Sequence, residues 1–221
     1  MAINIAIDGP AGAGKSTITK KVSKELGFIY VDTGALYRTV GLNVLRQGKN
    51  TKSEEEVLPT LEGVNVSLRF IDGEQRVFLG DEDVSEAIRQ NEVSMAASNV
   101  SAIPKVREFL FSLQRNIAAE NNCIMDGRDI GTVVLPDAQI KIYLTASAEA
   151  RAERRYKELI EKGQQVVFDE ILKDIELRDY QDTHREIAPL KKADDAILVD
   201  TTNLDLEGSI EYMLKVIKER L

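Results

Sequence analysis

Eight consecutive residues, Gly9-Pro10-Ala11-Gly12-Ala13-Gly14-Lys15-Ser16, meet the pattern G-x-x-x-x-G-K-[ST] at every fixed position. These residue types suit the binding of a polyphosphate. Glycines let backbone N–H groups turn inward and cradle phosphate oxygens with no Cβ in the way. A helix leaving the loop aims its positive end at the same anion. Lys15 supplies a point charge for the β- and γ-phosphates, and the Ser16 hydroxyl can ligate Mg²⁺, with Thr17 next to it as a second hydroxyl. The segment is not a dinucleotide fingerprint. After Gly12 and Gly14, the chain has Thr17 where G-x-G-x-x-G needs its last glycine.

Three further segments carry residues that could act on a second ligand. Asp32-Thr33-Gly34-Ala35-Leu36-Tyr37-Arg38 follows an apolar stretch, which puts it at the carboxyl edge of a sheet, where open α/β folds bind ligands. Asp32 or Thr33 could also be no more than a helix cap, and Arg38 a surface charge. Met125-Asp126-Gly127-Arg128-Asp129-Ile130-Gly131-Thr132 runs from an apolar strand straight into two aspartates and an arginine. Turn chemistry explains the glycines but not Arg128 and Asp129. An Asp can accept from the exocyclic amine of cytosine and would reject the acceptor that uracil presents there. Arg151, Arg154 and Arg155 stand at i, i+3 and i+4 and share a helix face; past a tip near Gly163 come Arg178 and Asp182, four apart, and then Arg185. Arginine is the better bidentate phosphate clamp. Glu153–Lys157 and Glu158–Lys162 show that part of this charge belongs to a salt-bridged helix surface. The single His184 reads as an exposed loop residue.

The elements that must position these groups can be read from the apolar pattern. Short apolar strands are expected at residues 3–7, 28–31, 122–126, 140–144 and 196–199, alternating with helices, of which Thr17–Leu26 is the first and Leu206–Leu221 the last. That alternation predicts a parallel α/β sheet with helices on both faces. Val64 to Phe70 alternates strictly, Asp72-Gly73 is a hairpin signal, and Gln75 to Leu79 reads as the return strand. An antiparallel insert over residues 62–90 follows from this. Ser98 falls on the next helix, and Pro104 opens another that holds Arg107.

Composition narrows the class. The chain has 221 residues, enough for one full core with a small insert. One cysteine, Cys123, excludes an internal disulfide and reads as a buried small hydrophobe. With one histidine beside it, a structural zinc site is not expected. No apolar run nears the ~20 residues of a membrane span, and no signal pattern opens the chain. The net charge of −8 argues against a nucleic-acid or anionic-membrane surface. A cytoplasmic location is expected.

Taken in order and spacing, GPAGAGKS, VDTGALYR, AASNVSAIPKVR, MDGRDIGTVVLPDA, RAERR and RDYQDTHREIAPLKKADDA resemble the bacterial cytidylate kinases of the P-loop nucleoside monophosphate kinase family. The resemblance covers nearly the whole chain. It implies a three-layer P-loop fold with a mostly parallel central sheet, a small antiparallel monophosphate-binding insert and a helical lid. The implied segments are core over 1–61, insert over 62–90, core over 91–150, lid and ribose/phosphate segment over 151–185, and core over 186–221. The implied reaction moves the γ-phosphoryl group of ATP, with Mg²⁺, to CMP or dCMP. By resemblance, residues Gly9 through Thr17 hold ATP together with the lid arginines Arg151, Arg154 and Arg155. Arg38, Arg128 and Arg185 hold the CMP phosphate; Ser98, Arg107 and Asp129 read cytosine; Arg178 and Asp182 bind the ribose; Thr33, where many relatives carry Ser, is a further CMP contact. Lys15, Arg128, Arg155 and Arg185 form the implied catalytic set. Ser16 is the implied metal ligand, although relatives vary at 16 and 17. Partners are expected to be small molecules, with neither nucleic acid nor membrane, and the working unit a monomer.

Three other readings compete, of which an ABC-type or helicase ATPase motor is disfavoured by the short chain and the lack of a long acidic Walker B strand motif. A P-loop kinase of another small acceptor shares the loop, but Arg128–Asp129 with Arg178, Asp182 and Arg185 favours a nucleotide. A GTP-binding switch needs N-K-x-D to read guanine, and the chain has none.

Overall fold

The computed structural model describes residues 2–71 and 74–221. The Asp72-Gly73 hairpin turn expected from the sequence lies outside the described residues. In chain order the elements are β1 (Asn4–Asp8), α1 (Lys15–Leu26), β2 (Ile29–Asp32), α2 (Thr33–Arg46), α3 (Glu54–Val57), β3 (Val66–Ile71), β4 (Glu74–Leu79) and β5 (Glu82–Asp83). There follow α4 (Asn91–Ser101), α5 (Pro104–Glu120), β6 (Cys123–Gly127), β7 (Ile140–Thr145), α6 (Ala148–Glu161), α7 (Phe168–His184), β8 (Ile197–Asp200) and α8 (Leu206–Lys218). A mostly parallel sheet of five strands has the order β2-β6-β1-β7-β8, and a separate sheet of three has the order β3-β4-β5.

Two compact units divide the chain: residues 3–28 with 122–221, and residues 29–121. In the first unit β1 is the central strand, and Ile5, Ala6 and Ile7 are wholly buried, as a parallel strand covered on both faces requires. β1 runs parallel to β6 with Ile7 opposite Asp126 and Asp8 opposite Gly127, and parallel to β7 with Ile5 opposite Ile140. Ile18 and Val22 of α1 and Met213 and Ile217 of α8 close the core over Ile124, Ile142, Leu144 and Val199. Gly27, at φ 70°, stops α1; its left-handed conformation favours a residue with no Cβ.

In the second unit, Leu36, Val40 and Val44 of α2 pack with Val66, Val100, Val106 and Leu110. Gly41 lets α2 lie close to α4, for a Cβ there would stand 3.0 Å from the Cβ of Ala96. β3 and β4 pair antiparallel from Val66↔Leu79 to Ile71↔Glu74.

The five sheet strands begin and end within about a residue of their expected positions, and the shift at their carboxyl ends has one cause. An apolar pattern stops at the last apolar side chain, whereas the ladder continues into the polar edge residues Asp8, Asp32, Gly127, Thr145 and Asp200. Helix α1 starts two residues before Thr17 because the end of the loop is already its first turn, with Ile18 N–H donating to Gly14 C=O at 3.0 Å. His184 is not in a loop: it ends α7 and its ring stacks on Tyr180 at 4.0 Å.

Candidate active site

The loop after β1 has the backbone that an anion cradle requires. Gly12 and Gly14 have φ of 73° and 82°. Gly9 can only be glycine, since a Cβ there would lie 1.9 Å from the carbonyl oxygen of Leu144. Lys15 opens α1 and is 7 % exposed. Its Nζ donates to the carbonyls of Gly9 and Pro10, both at 2.7 Å. Burial, and then the neighbouring Arg128 charge, hold the ammonium well below the usual lysine range, against the pull of Asp126, Asp182 and Asp8. A polyphosphate placed here would offset both effects, so the residues present fit one. Ser16 Oγ donates to Asp126 Oδ2 at 3.1 Å. Hydroxyl and carboxylate oxygens are the hard donors that Mg²⁺ takes. Among the described residues, no group of three or more His, Cys, Asp or Glu is placed to hold a metal by itself.

At the end of β6 the buried strand presents Asp126 and then Arg128 and Asp129. Arg128 Nε donates to Asp182 Oδ2 of α7 at 2.7 Å. Burial pushes the Asp182 carboxyl up, but the charges of Arg128, Arg178 and Arg185 outweigh it and leave the group below the usual range. Asp129 is 5 % exposed. Arg185 Nη2 lies 3.7 Å from its Oδ1, while Arg185 Nε donates to the Ala188 carbonyl. Arg128, Asp129, Arg178, Asp182 and Arg185 are thus linked around one buried carboxylate pair.

The three arginines of α6 share a helix but not a target. Arg151 is buried; Nη1 donates to the Ala11 carbonyl of the loop at 2.8 Å and to Asp179 Oδ1 at 3.0 Å, and Nε to the Ala146 carbonyl. Arg154 turns to Thr201 and the Leu204 carbonyl. Arg155 pairs with Glu158 at 2.9 Å on the exposed side. The helix-surface pairs Glu153–Lys157 and Glu158–Lys162 form as their spacing requires. Asp179 was not singled out by sequence: it lies 28 residues from Arg151, and only the packing of α6 against α7 joins them.

The second unit carries the other group. Asp32, not Thr33, caps α2: its Oδ1 accepts from Ala35 N–H at 3.0 Å. Its Oδ2 accepts from Arg38 Nη2 at 2.7 Å, so Arg38 is a held residue rather than a loose surface charge. Arg38 Nε is buried with no hydrogen-bond partner, as an arginine that awaits an anion would be. Thr33 is 3 % exposed and Arg107 of α5 is 8 % exposed, with the Arg107 guanidinium 5.8 Å from the Tyr37 ring centre. Ser98 is half-buried on α4.

Asp8, Asp32 and Asp126 lie at the carboxyl ends of strands, where a carboxylate could orient a metal's water shell. Asp32 is committed to Ala35 and Arg38, and Asp8 accepts from two backbone amides, those of Ile130 and Gly131. Asp126 is the one that meets the loop hydroxyl.

A phosphate loop entering α1 at the edge of a mostly parallel sheet defines a P-loop nucleotide-binding protein. The family model described as cytidylate kinase matches residues 5–219. The cytidylate kinase of Caldicellulosiruptor saccharolyticus is 51 % identical over 214 residues, covering 97 % of this chain and 95 % of that one. That of Streptococcus pyogenes serotype M5 is 52 % identical over 213 residues, covering 96 % and 94 %. A crystal structure of an uncharacterized protein from Eubacterium ventriosum has a TM-score of 0.55 at 13 % identity over 99 % of both chains, a likeness of fold alone. The chain belongs to the cytidylate kinase family, and it is a phosphotransferase.

Proposed function

We propose that this protein transfers the γ-phosphoryl group of ATP to CMP or dCMP, giving ADP and CDP or dCDP. Beside the family membership, one observation supports this reading most. The end of β6 places Asp126 on the loop hydroxyl and, two residues later, Arg128 on Asp182. One strand end thereby serves a triphosphate on one side and a nucleotide acceptor on the other.

The acceptor needs no strong base, because a phosphate monoester's second pKa is about 6 and its oxygen is already largely anionic at pH 7. The task is to bring two polyanions in line and to stabilise the moving phosphoryl group. Lys15 and the loop amides hold the donor phosphates. Bound Mg²⁺, with Ser16 as ligand and Asp126 orienting its waters, would neutralise charge on the donor. Arg38, Arg128 and Arg185 hold the acceptor phosphate, Asp129 with Ser98 and Arg107 reads cytosine, Arg178 and Asp182 take the ribose hydroxyls, and Thr33 adds a contact. Arg151, Arg154 and Arg155 belong to a lid over 151–185, whose closure excludes water. The antiparallel segment over 62–90 serves the acceptor. In the structure Arg155 holds Glu158, so catalysis requires that pair to open.

We read the protein as a cytoplasmic monomer acting on small molecules in pyrimidine metabolism. No helix among the described residues is long and apolar enough to cross a membrane.

The test is ADP release from Mg-ATP with CMP, dCMP, UMP, AMP, GMP or no acceptor. Fast turnover with CMP and dCMP, little with UMP and almost none without acceptor is expected. Asp129→Ala should mainly lower the preference for CMP over UMP, and an intact preference would remove Asp129 from base reading. Absence of acceptor-dependent turnover would overturn the proposal.

A further inference from the structure

Asp8 closes β1 just before the loop, is 4 % exposed, and is given no part in the transfer by the function proposed above. Both of its carboxylate oxygens are committed to main-chain amides of another segment. Ile130 N–H donates to Oδ1 at 2.7 Å, and Gly131 N–H donates to Oδ2 at 2.8 Å. These amides open the π turn Ile130–Val134, which begins directly after Arg128 and Asp129. The far end of the turn is tied to Asp129 itself, whose carbonyl accepts from Val133 N–H at 2.9 Å and Val134 N–H at 3.2 Å. The peptide group that joins Asp129 to Ile130 is therefore held at both of its polar atoms, its carbonyl by the turn and its N–H by the Asp8 carboxylate. Gly131 fits closely here: a Cβ would lie 3.4 Å from Asp8 Oδ2 and 3.2 Å from Lys141 Cδ.

This arrangement is electrostatically expensive. Burial, aided by the Asp129 charge, raises the Asp8 carboxyl to about 6, against the two amides and Lys15. Tyr143 of β7 also feels the Asp8 charge, and Lys141 beside the turn is paired with Asp195. A strand end followed by a glycine loop does not need a buried carboxylate. Pinning the adjacent turn does, because a carboxylate can accept from two parallel N–H groups at once.

We infer that Asp8 is a positioning residue for base selection, holding the Ile130–Gly131 amides so that Asp129 meets the cytosine edge at a fixed angle. The inference rests on the proposed reading of cytosine by Asp129. Asp8 links the strand that enters the phosphate loop to the turn that reads the acceptor base.

The test is steady-state kinetics of Asp8→Asn with CMP, UMP and ATP. Asparagine keeps the shape but turns one acceptor into an N–H₂ that faces an N–H. The CMP-to-UMP ratio of kcat/KM should fall about tenfold, the factor that about 1.4 kcal/mol of lost discrimination produces. KM for CMP should rise while KM for ATP stays within about twofold of wild type. Gly131→Ala presses on the same contact from the other side and should give the same signature in weaker form; it decides the matter if Asp8→Asn does not fold. A wild-type ratio retained in folded variants overturns the inference, as does a defect confined to KM for ATP, which would make Asp8 a support of the phosphate loop. A wild-type enzyme that does not itself distinguish CMP from UMP would instead refute base reading by Asp129, and the inference with it.

Discussion

Replacing Asp8 by Asn should change how stability depends on pH, and the structure sets the size. In the folded chain the carboxyl titrates at about 6 instead of 3.8, because burial and the Asp129 charge outweigh two amides and Lys15. A raised carboxyl pKa means that the folded state keeps a proton that the unfolded chain has released. Stability from this group is therefore full below the unfolded value and is lost as pH rises through about 6. At about 1.36 kcal/mol per tenfold change in proton affinity, the whole effect is about 3 kcal/mol. Between pH 5 and 7.5 the unfolded carboxyl is ionised throughout and the folded one goes from mostly protonated to ionised, which is worth about 1.4 kcal/mol. In a chain of this length that corresponds to about 3–6 °C in Tm. Asparagine does not titrate. Thermal melts of both proteins at pH 5, 6, 7 and 7.5 should therefore show the Tm of wild type, relative to Asp8→Asn, falling by that amount across the series. Taking the difference removes the other carboxylates, which both proteins share. A gap constant to within about 1 °C, or one that moves in wild type's favour as pH rises, would refute the reasoning.

Three further outcomes are expected. Lys15→Ala should lower turnover by about 10²–10³-fold, the loss that follows removal of one preorganised donor to a developing charge; single-turnover measurements at saturating ATP would check it. Asp182→Asn should raise KM for CMP at least about tenfold with little change for ATP, because it leaves Arg128 without the carboxylate that holds its Nε at 2.7 Å. Cys123, whose thiol burial pushes up to about 12, should resist a chromogenic disulfide reagent at pH 8 in the native protein and react at once in urea; prompt labelling of the native chain would contradict its burial.

What could be read in advance depended on whether the cause was local. The phosphate loop was legible because its chemistry dictates consecutive residues, and Gly9 shows how little freedom that backbone leaves. The main strands were legible from apolar runs, but their last residues were not, since the ladder at Asp8 or Asp200 continues where hydrophobicity ends. β5 is two acidic residues and has no apolar signal at all. Among the site residues, types could be read but partners could not. Arg155 finds Glu158 one turn away, a pairing that helix spacing predicts. Arg151 finds Asp179, and Arg128 finds Asp182 54 residues on, and neither spacing leaves a trace in sequence. Asp8 was the least legible, because its partners are main-chain amides 122 and 123 residues away, and any residue except proline supplies such an amide.

The order of the strands also bears on the making of the protein. β1 leaves the ribosome well before its neighbours, β6 and β7. Asn4 pairs with Cys123, 119 residues later. At about 5–20 residues per second of synthesis, an apolar strand waits roughly 6–24 s for its first partner. Residues 29–121, a continuous stretch, are all synthesised in that interval, whereas the phosphate loop cannot be braced until β7 brings Leu144 against Gly9. The nascent chain thus carries its nucleotide-binding motif well before it gains the ability to use it.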